Sequence, residues 1–126
     1  LGCRMPEAGT YTVTLWNFAS AAALAQANVV ITNKNQFVYA SVAPVIVTQN
    51  TRYVISVNNT SGGAGKKYFQ LYKKPTTAIN IYPFTNGKIT VEEPLYKSGA
   101  TPVMPDNNNA SDFPYIRGVA DIDISF

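Results

Sequence analysis

Ala8-Gly9-Thr10-Tyr11-Thr12-Val13-Thr14-Leu15-Trp16-Asn17 is the stretch that decides the fold. A glycine turn runs into strict alternation, the period-2 pattern of a half-buried strand. Tyr11, Val13 and Leu15 project to one face, and Thr12, Thr14 and Trp16 to the other. The first set requires a core. The second puts the only Trp of the chain on a face otherwise lined with threonines. A large ring in that position is either roofed by a loop or displayed to a ligand.

The same alternation continues outward from this strand. Residues 25–32 read as a strand with Ala25, Ala27, Val29 and Ile31 on its inner face. Residues 33–36 are a turn, residues 37–42 the next strand, and Pro44 interrupts before 45–47. Residues 52–57 are the second clearest strand, with Tyr53, Ile55 and Val57 facing inward. Residues 58–67 hold Thr60-Ser61-Gly62-Gly63-Ala64-Gly65 and read as a loop. Residues 68–73 follow as a strand. Asn86-Gly87 is a hairpin dipeptide between strands at 79–84 and 88–91. Residues 94–112 are rich in Pro and Asn and read as irregular. Residues 119–126 close the chain as a strand with Ala120, Ile122, Ile124 and Phe126 inward. Short strands separated by regular turn signals predict an all-β fold. The expected architecture is a two-sheet antiparallel β-sandwich, jelly-roll-like, of about eight strands.

A length of 126 residues suits one domain, 1–126, with a single core. Charged residues make up 13% of the chain, about half the usual share. Such a surface, rich in Asn, Thr, Ser and Tyr, suits extracytoplasmic β domains. A net charge of +3 is too mild for a nucleic-acid binder, and the only paired bases are Lys66-Lys67 and Lys73-Lys74. The chain has no His, which excludes imidazole bases, Ser-His-Asp triads and the commonest zinc ligand. One Cys excludes an intrachain disulfide. No apolar run approaches the length of about 18 residues that a membrane-spanning helix needs. Leu1-Gly2-Cys3 admits a lipid anchor at Cys3. The alternation of Leu1, Cys3 and Met5 with Gly2 and Arg4 favours a strand with a buried thiol instead.

Three constellations could carry chemistry. Aromatic residues are 12% of the chain, enough rings for both a core and a displayed face. Sugar C–H groups pack on π faces beside polar side chains that bond the hydroxyls. Trp16, Tyr72, Tyr82, Tyr96 and Tyr115 are the candidates for such a platform. The oxygen-rich run Asp106-Asn107-Asn108-Asn109-Ala110-Ser111-Asp112 offers Asp106, Asn108 and Asp112 as calcium ligands. It lacks the Gly and terminal Glu of an EF-hand, and a polar loop held by Asx turns is the simpler account. Glu92-Glu93 and Asp121/Asp123 are the closest carboxylates. The latter pair would sit about 7 Å apart along one strand face, a distance that glycosidase chemistry accepts. A solvated strand face is the simpler account.

The order of the pieces resembles a known family. Gly9-Thr10-Tyr11 runs into Leu15-Trp16, and Phe37-Val38-Tyr39 leads to Ala43-Pro44-Val45. Then come Thr48-Gln49-Asn50-Thr51-Arg52-Tyr53-Val54-Ile55-Ser56-Val57 and the closing Asp121-Ile122-Asp123-Ile124-Ser125-Phe126. This is similar to the secreted bacterial β-sandwich family known as domain of unknown function 4082. Val13 stands where that family tends to carry Gly. The resemblance implies a non-catalytic module at the bacterial cell surface, beside glycosidases and immunoglobulin-like repeats. The expected function is therefore carbohydrate binding through exposed aromatics, with a glycan as partner. The alternative is a structural or adhesive spacer of a larger surface protein, with no small ligand.

Overall fold

A computed structural model describes residues 1–59, 70–73, 82–108, 115–117 and 120–125; for 70–73 and 115–117 it describes the backbone. Within these residues the protein is all-β, with ten strands and no helix. The strands are β1 (Gly2–Arg4), β2 (Gly9–Asn17), β3 (Ala23–Ile31), β4 (Phe37–Tyr39), β5 (Tyr53–Asn58), β6 (Gln70–Lys73), β7 (Phe84–Asn86), β8 (Ile89–Val91), β9 (Tyr115–Arg117) and β10 (Ala120–Asp121). Two sheets have three strands each, ordered β10-β1-β4 and β3-β2-β5. Two more are the pairs β6-β9 and β7-β8. Every pairing is antiparallel.

The alternation in β2 orders the core as expected. Tyr11, Val13 and Leu15 are buried in one cluster with Val29 and Ile31 of β3. Leu1, Cys3 and Met5, from β1 and its flanks, enter the same cluster. Tyr53, Ile55 and Val57 of β5, Val38 of β4, and Ala120 and Ile122 pack against it. Side chains from both three-stranded sheets thus meet in one core, an arrangement consistent with a sandwich. Cys3 is fully buried, and loss of hydration pushes its thiol up to about 11.

Turn chemistry fits the backbone. Asn35 takes positive φ, 65°, in the turn read at 33–36, and Asn50 does so, 60°, just before β5. The β7–β8 hairpin pairs Asn86 with Ile89, so its two loop residues are Gly87 and Lys88. Asn86 belongs to the strand, so the loop sits one place later than the dipeptide signal suggests. Gly87 has φ +61°, as the first loop position of a II′ turn requires.

Several strands are shorter than the alternation predicts. β4 stops at Tyr39, and residues 45–47 join no ladder. Pro44 lacks the N–H that a continuing strand would use, although Val42 and Val45 still pack on the core. β10 ends at Asp121, so residues 122–125 are irregular and Asp123 does not continue a ladder. Of the strand expected at 79–84, residues 79–81 lie outside the described residues, and pairing begins at Phe84. β9 was not read from the sequence: its three residues are too few to show alternation.

The β1–β4 pairing depends on a glycine. Gly2 lies opposite Tyr39, and a Cβ there would fall 2.4 Å from Tyr39 Cδ1. Only the absence of a side chain lets the ring lie across the strand. The Tyr39 hydroxyl donates to Asp121. That bond, then loss of hydration and the charges of Asp121 and Asp123, push the phenol up to about 12. The sign follows directly: the folded state favours the neutral phenol, so this contribution is complete below the ordinary value of 10.0 and is lost as pH rises through about 12. A tyrosinate absorbance titration should therefore show one phenol ionising near 12, and Asp121→Asn should bring it back towards 10. An unchanged titration in that variant would refute the assignment to this pair.

Candidate functional site

One end of the β2–β5 pairing, around Trp16 and Arg52, gathers the residues that could carry chemistry. On the outward face Thr14 lies opposite Ser56, and Trp16 opposite Val54. Trp16 reaches diagonally along the sheet and donates its Nε1–H to Ser56 Oγ at 2.8 Å. The ring is only 7% exposed, beside Val54 at 7% and Thr14 at 0%. Both faces of β2 are therefore covered at this point. Thr14 Oγ1 also accepts from Gln26 Nε2 at 3.0 Å. Trp16 is thereby a satisfied, buried aromatic with no open π face. Sequence reasoning placed it on the outward side correctly. It could not supply Ser56 as the partner, because that diagonal depends on the register between β2 and β5.

Next to it lies a polar knot centred on Arg52, at the start of β5. The Arg52 guanidinium stacks on Phe18, with its carbon 3.9 Å from the ring centroid. It pairs with Glu92 at 2.7 Å and also with Glu93. Asn108 Nδ2 donates to Glu93 Oε2 at 2.6 Å. Glu93 is held below its ordinary value, chiefly by the Asn108 bond, with Arg52 adding to it against partial loss of hydration. The knot fastens both ends of the segment 92–108 to the edge of the β3-β2-β5 sheet. Within that segment Tyr96 and Asn107 form a β-bridge, and Lys97 pairs with Asp106 at 2.7 Å. The charge pattern of residues 92–108 alone does not name Arg52 as their anchor.

The remaining candidates scatter. Tyr96 is 46% exposed on the fastened segment. Tyr82 is half-buried and packs against Phe84, with ring centroids 5.5 Å apart. Tyr72 lies opposite Ile116 and Tyr115 opposite Lys73 in the β6-β9 pair. Their side chains lie outside the described residues. Of the calcium candidates, Asp106 is engaged by Lys97 and Asn108 by Glu93, and Asp112 lies outside the described residues. Among the described residues no group of three or more acidic, Cys or His side chains is placed to hold a metal. Asp121 accepts from Tyr39 and from the Ile122 N–H, while Asp123 is exposed. No described helix is long and apolar enough to cross a membrane.

No family model, curated protein or solved structure matches the chain.

Proposed function

We propose that the chain is a non-catalytic, extracytoplasmic β module whose role is structural or adhesive, a spacer of a larger bacterial surface protein. The burial of Trp16 carries this reading. The ring that β2 carries on the side away from the core is 7% exposed, and its N–H is already bonded. A stacking platform needs an open face with polar groups beside it. The closest carboxylates also favour a structural role. Glu92 and Glu93 are paired with Arg52, and Glu93 is held low. A general acid requires the opposite shift. The low-charge composition and the resemblance to domain of unknown function 4082 support the extracytoplasmic placement.

A second reading rests on Tyr96. It is 46% exposed, with Lys97, Asp106 and Asn107 close along the same fastened segment. Of the candidate rings whose side chains are described, it is the most exposed. The deciding experiment is a glycan-array and polysaccharide pull-down screen of the native protein and of Tyr96→Ala. The structural reading expects no saturable binding by either protein. Saturable binding to native protein that Tyr96→Ala abolishes would overturn it in favour of the second.

A further inference from the structure

We propose that residues 92–108 form a strap whose underside covers Trp16 and Val54, clasped by Arg52, so that release of the clasp uncovers the ring while the sheets stay folded. The first ground is a burial that the core does not explain. Trp16 and Val54 lie opposite each other on the outward face of the β3-β2-β5 sheet, each only 7% exposed. The core cluster of Tyr11, Val13 and Leu15 lies across the sheet and includes neither. Side chains standing on a sheet face shield one another only at their flanks, so a ring this buried needs a layer above it. On the same face of β3, Gln26, Asn28 and Val30 are exposed. The cover is therefore confined to the β2–β5 side.

The second ground is a segment with the matching surface. The strap closes on itself: Tyr96 and Asn107 exchange two backbone hydrogen bonds, of 2.9 and 3.2 Å, and Lys97 pairs with Asp106. Its tip, residues 98–103, is exposed. Near its base Pro105 is buried, and Pro94, Leu95 and Met104 are half-buried. Leu95 and Met104 are not among the side chains packed on the core cluster. An apolar underside and an apolar outward face, each shielded and neither in the core, are left to bury each other.

The third ground brings the two together. Arg52 precedes Val54 by two residues and Phe18 follows Trp16 by two, so Phe18 and Arg52 continue the outward row beside Trp16 and Val54. The Phe18 N–H donates to the Arg52 carbonyl at 3.1 Å, which keeps the two strands in register there. On this row the Arg52 guanidinium, seated on Phe18, holds Glu92 and Glu93, and Asn108 holds Glu93 from the other end of the strap. Both ends of the strap are thus fixed one row from Trp16. Its internal bonds do not involve Arg52, so the strap leaves as a unit when the clasp is lost. Partly exposed ion pairs of this kind are individually weak, which makes the clasp easy to release. The core, on the other face, keeps the sheets paired meanwhile.

Acrylamide quenching of Trp16 tests the clasp in Arg52→Ala and in Glu92→Ala/Glu93→Ala, which remove it from the sheet side and from the strap side. Both should shift the emission towards that of free indole and raise quenching at least about threefold, with the strand signal in circular dichroism unchanged. Combining the three substitutions should add nothing further, because all act on one clasp. A nitroxide on Val103→Cys reads the cover directly, since Cys3 is fully buried and stays unlabelled. It should quench Trp16 in the otherwise native protein, and adding Arg52→Ala should relieve that quenching. Trp16 still shielded in the folded variants would overturn the proposal, as would a label at 103 that leaves Trp16 bright. Should Arg52→Ala not fold, the label in the otherwise native protein decides. The structural reading rests on Trp16 being shielded in native protein, and it stands whichever way the variants fall.

Discussion

Trp16→Ala is expected to destabilise the protein by about 3–5 kcal/mol. The ring is 7% exposed and its N–H is bonded to Ser56. Removing it leaves a cavity beside Thr14 and Val54, and it strips Ser56 of its donor. Trp16→Phe should recover most of the packing and lose only the hydrogen bond, at about 1 kcal/mol. Urea denaturation followed by circular dichroism measures both. A residue kept for ligand stacking would behave differently. Its removal would abolish binding and leave stability within about 0.5 kcal/mol. A Trp16→Ala variant as stable as native protein would therefore reverse the assignment.

Met5→Ala carries the second large effect, about 2–5 kcal/mol. Met5 is 1% exposed and follows β1, in the β10-β1-β4 sheet. Yet it shares a cluster with Tyr11, Val13 and Leu15 of the other three-stranded sheet. Truncating it empties space between the sheets, not on the outside of one. Loss of stability should therefore appear as one cooperative transition, with the β3-β2-β5 sheet unfolding together with β1. Thermal unfolding read by far-ultraviolet circular dichroism and by Trp16 fluorescence should give coincident midpoints, both lowered in the variant. Two separated transitions would show that the sheets do not share a core.

The inner face of this fold was legible because its signal is local. Tyr11, Val13 and Leu15, then Tyr53, Ile55 and Val57, recur at every second residue, and the structure packs both sets on one core. Leu1, Cys3 and Met5 were legible for the same reason. Strand ends were less so. Apolar strand-like sequence resumes at 45–47 and runs on through 122–125, but a ladder needs a partner and free N–H groups. Pro44 removes one such group, and Asp121 is the last residue of β10. Of the residues gathered around Trp16 and Arg52, the sequence singled out Trp16, Glu92, Glu93 and Asn108 but neither Arg52 nor Ser56. Trp16 was correctly placed on the outward side. Ser56, Arg52 and Asn108 are brought to their partners by register and by long-range folding, with separations of 40, 41 and 15 residues along the chain. No short-range pattern encodes such pairs.

The steady-state fluorescence of Trp16 tests the central claim most directly, because it is the only Trp in the chain. A buried ring bonded to Ser56 should emit at shorter wavelength than free indole in water, and acrylamide should quench it weakly. Unfolding in urea should shift the emission to that of free indole and expose it fully to the quencher. Emission like that of free indole from the native protein, with strong quenching, would contradict the account and return Trp16 to the role of a displayed ligand platform.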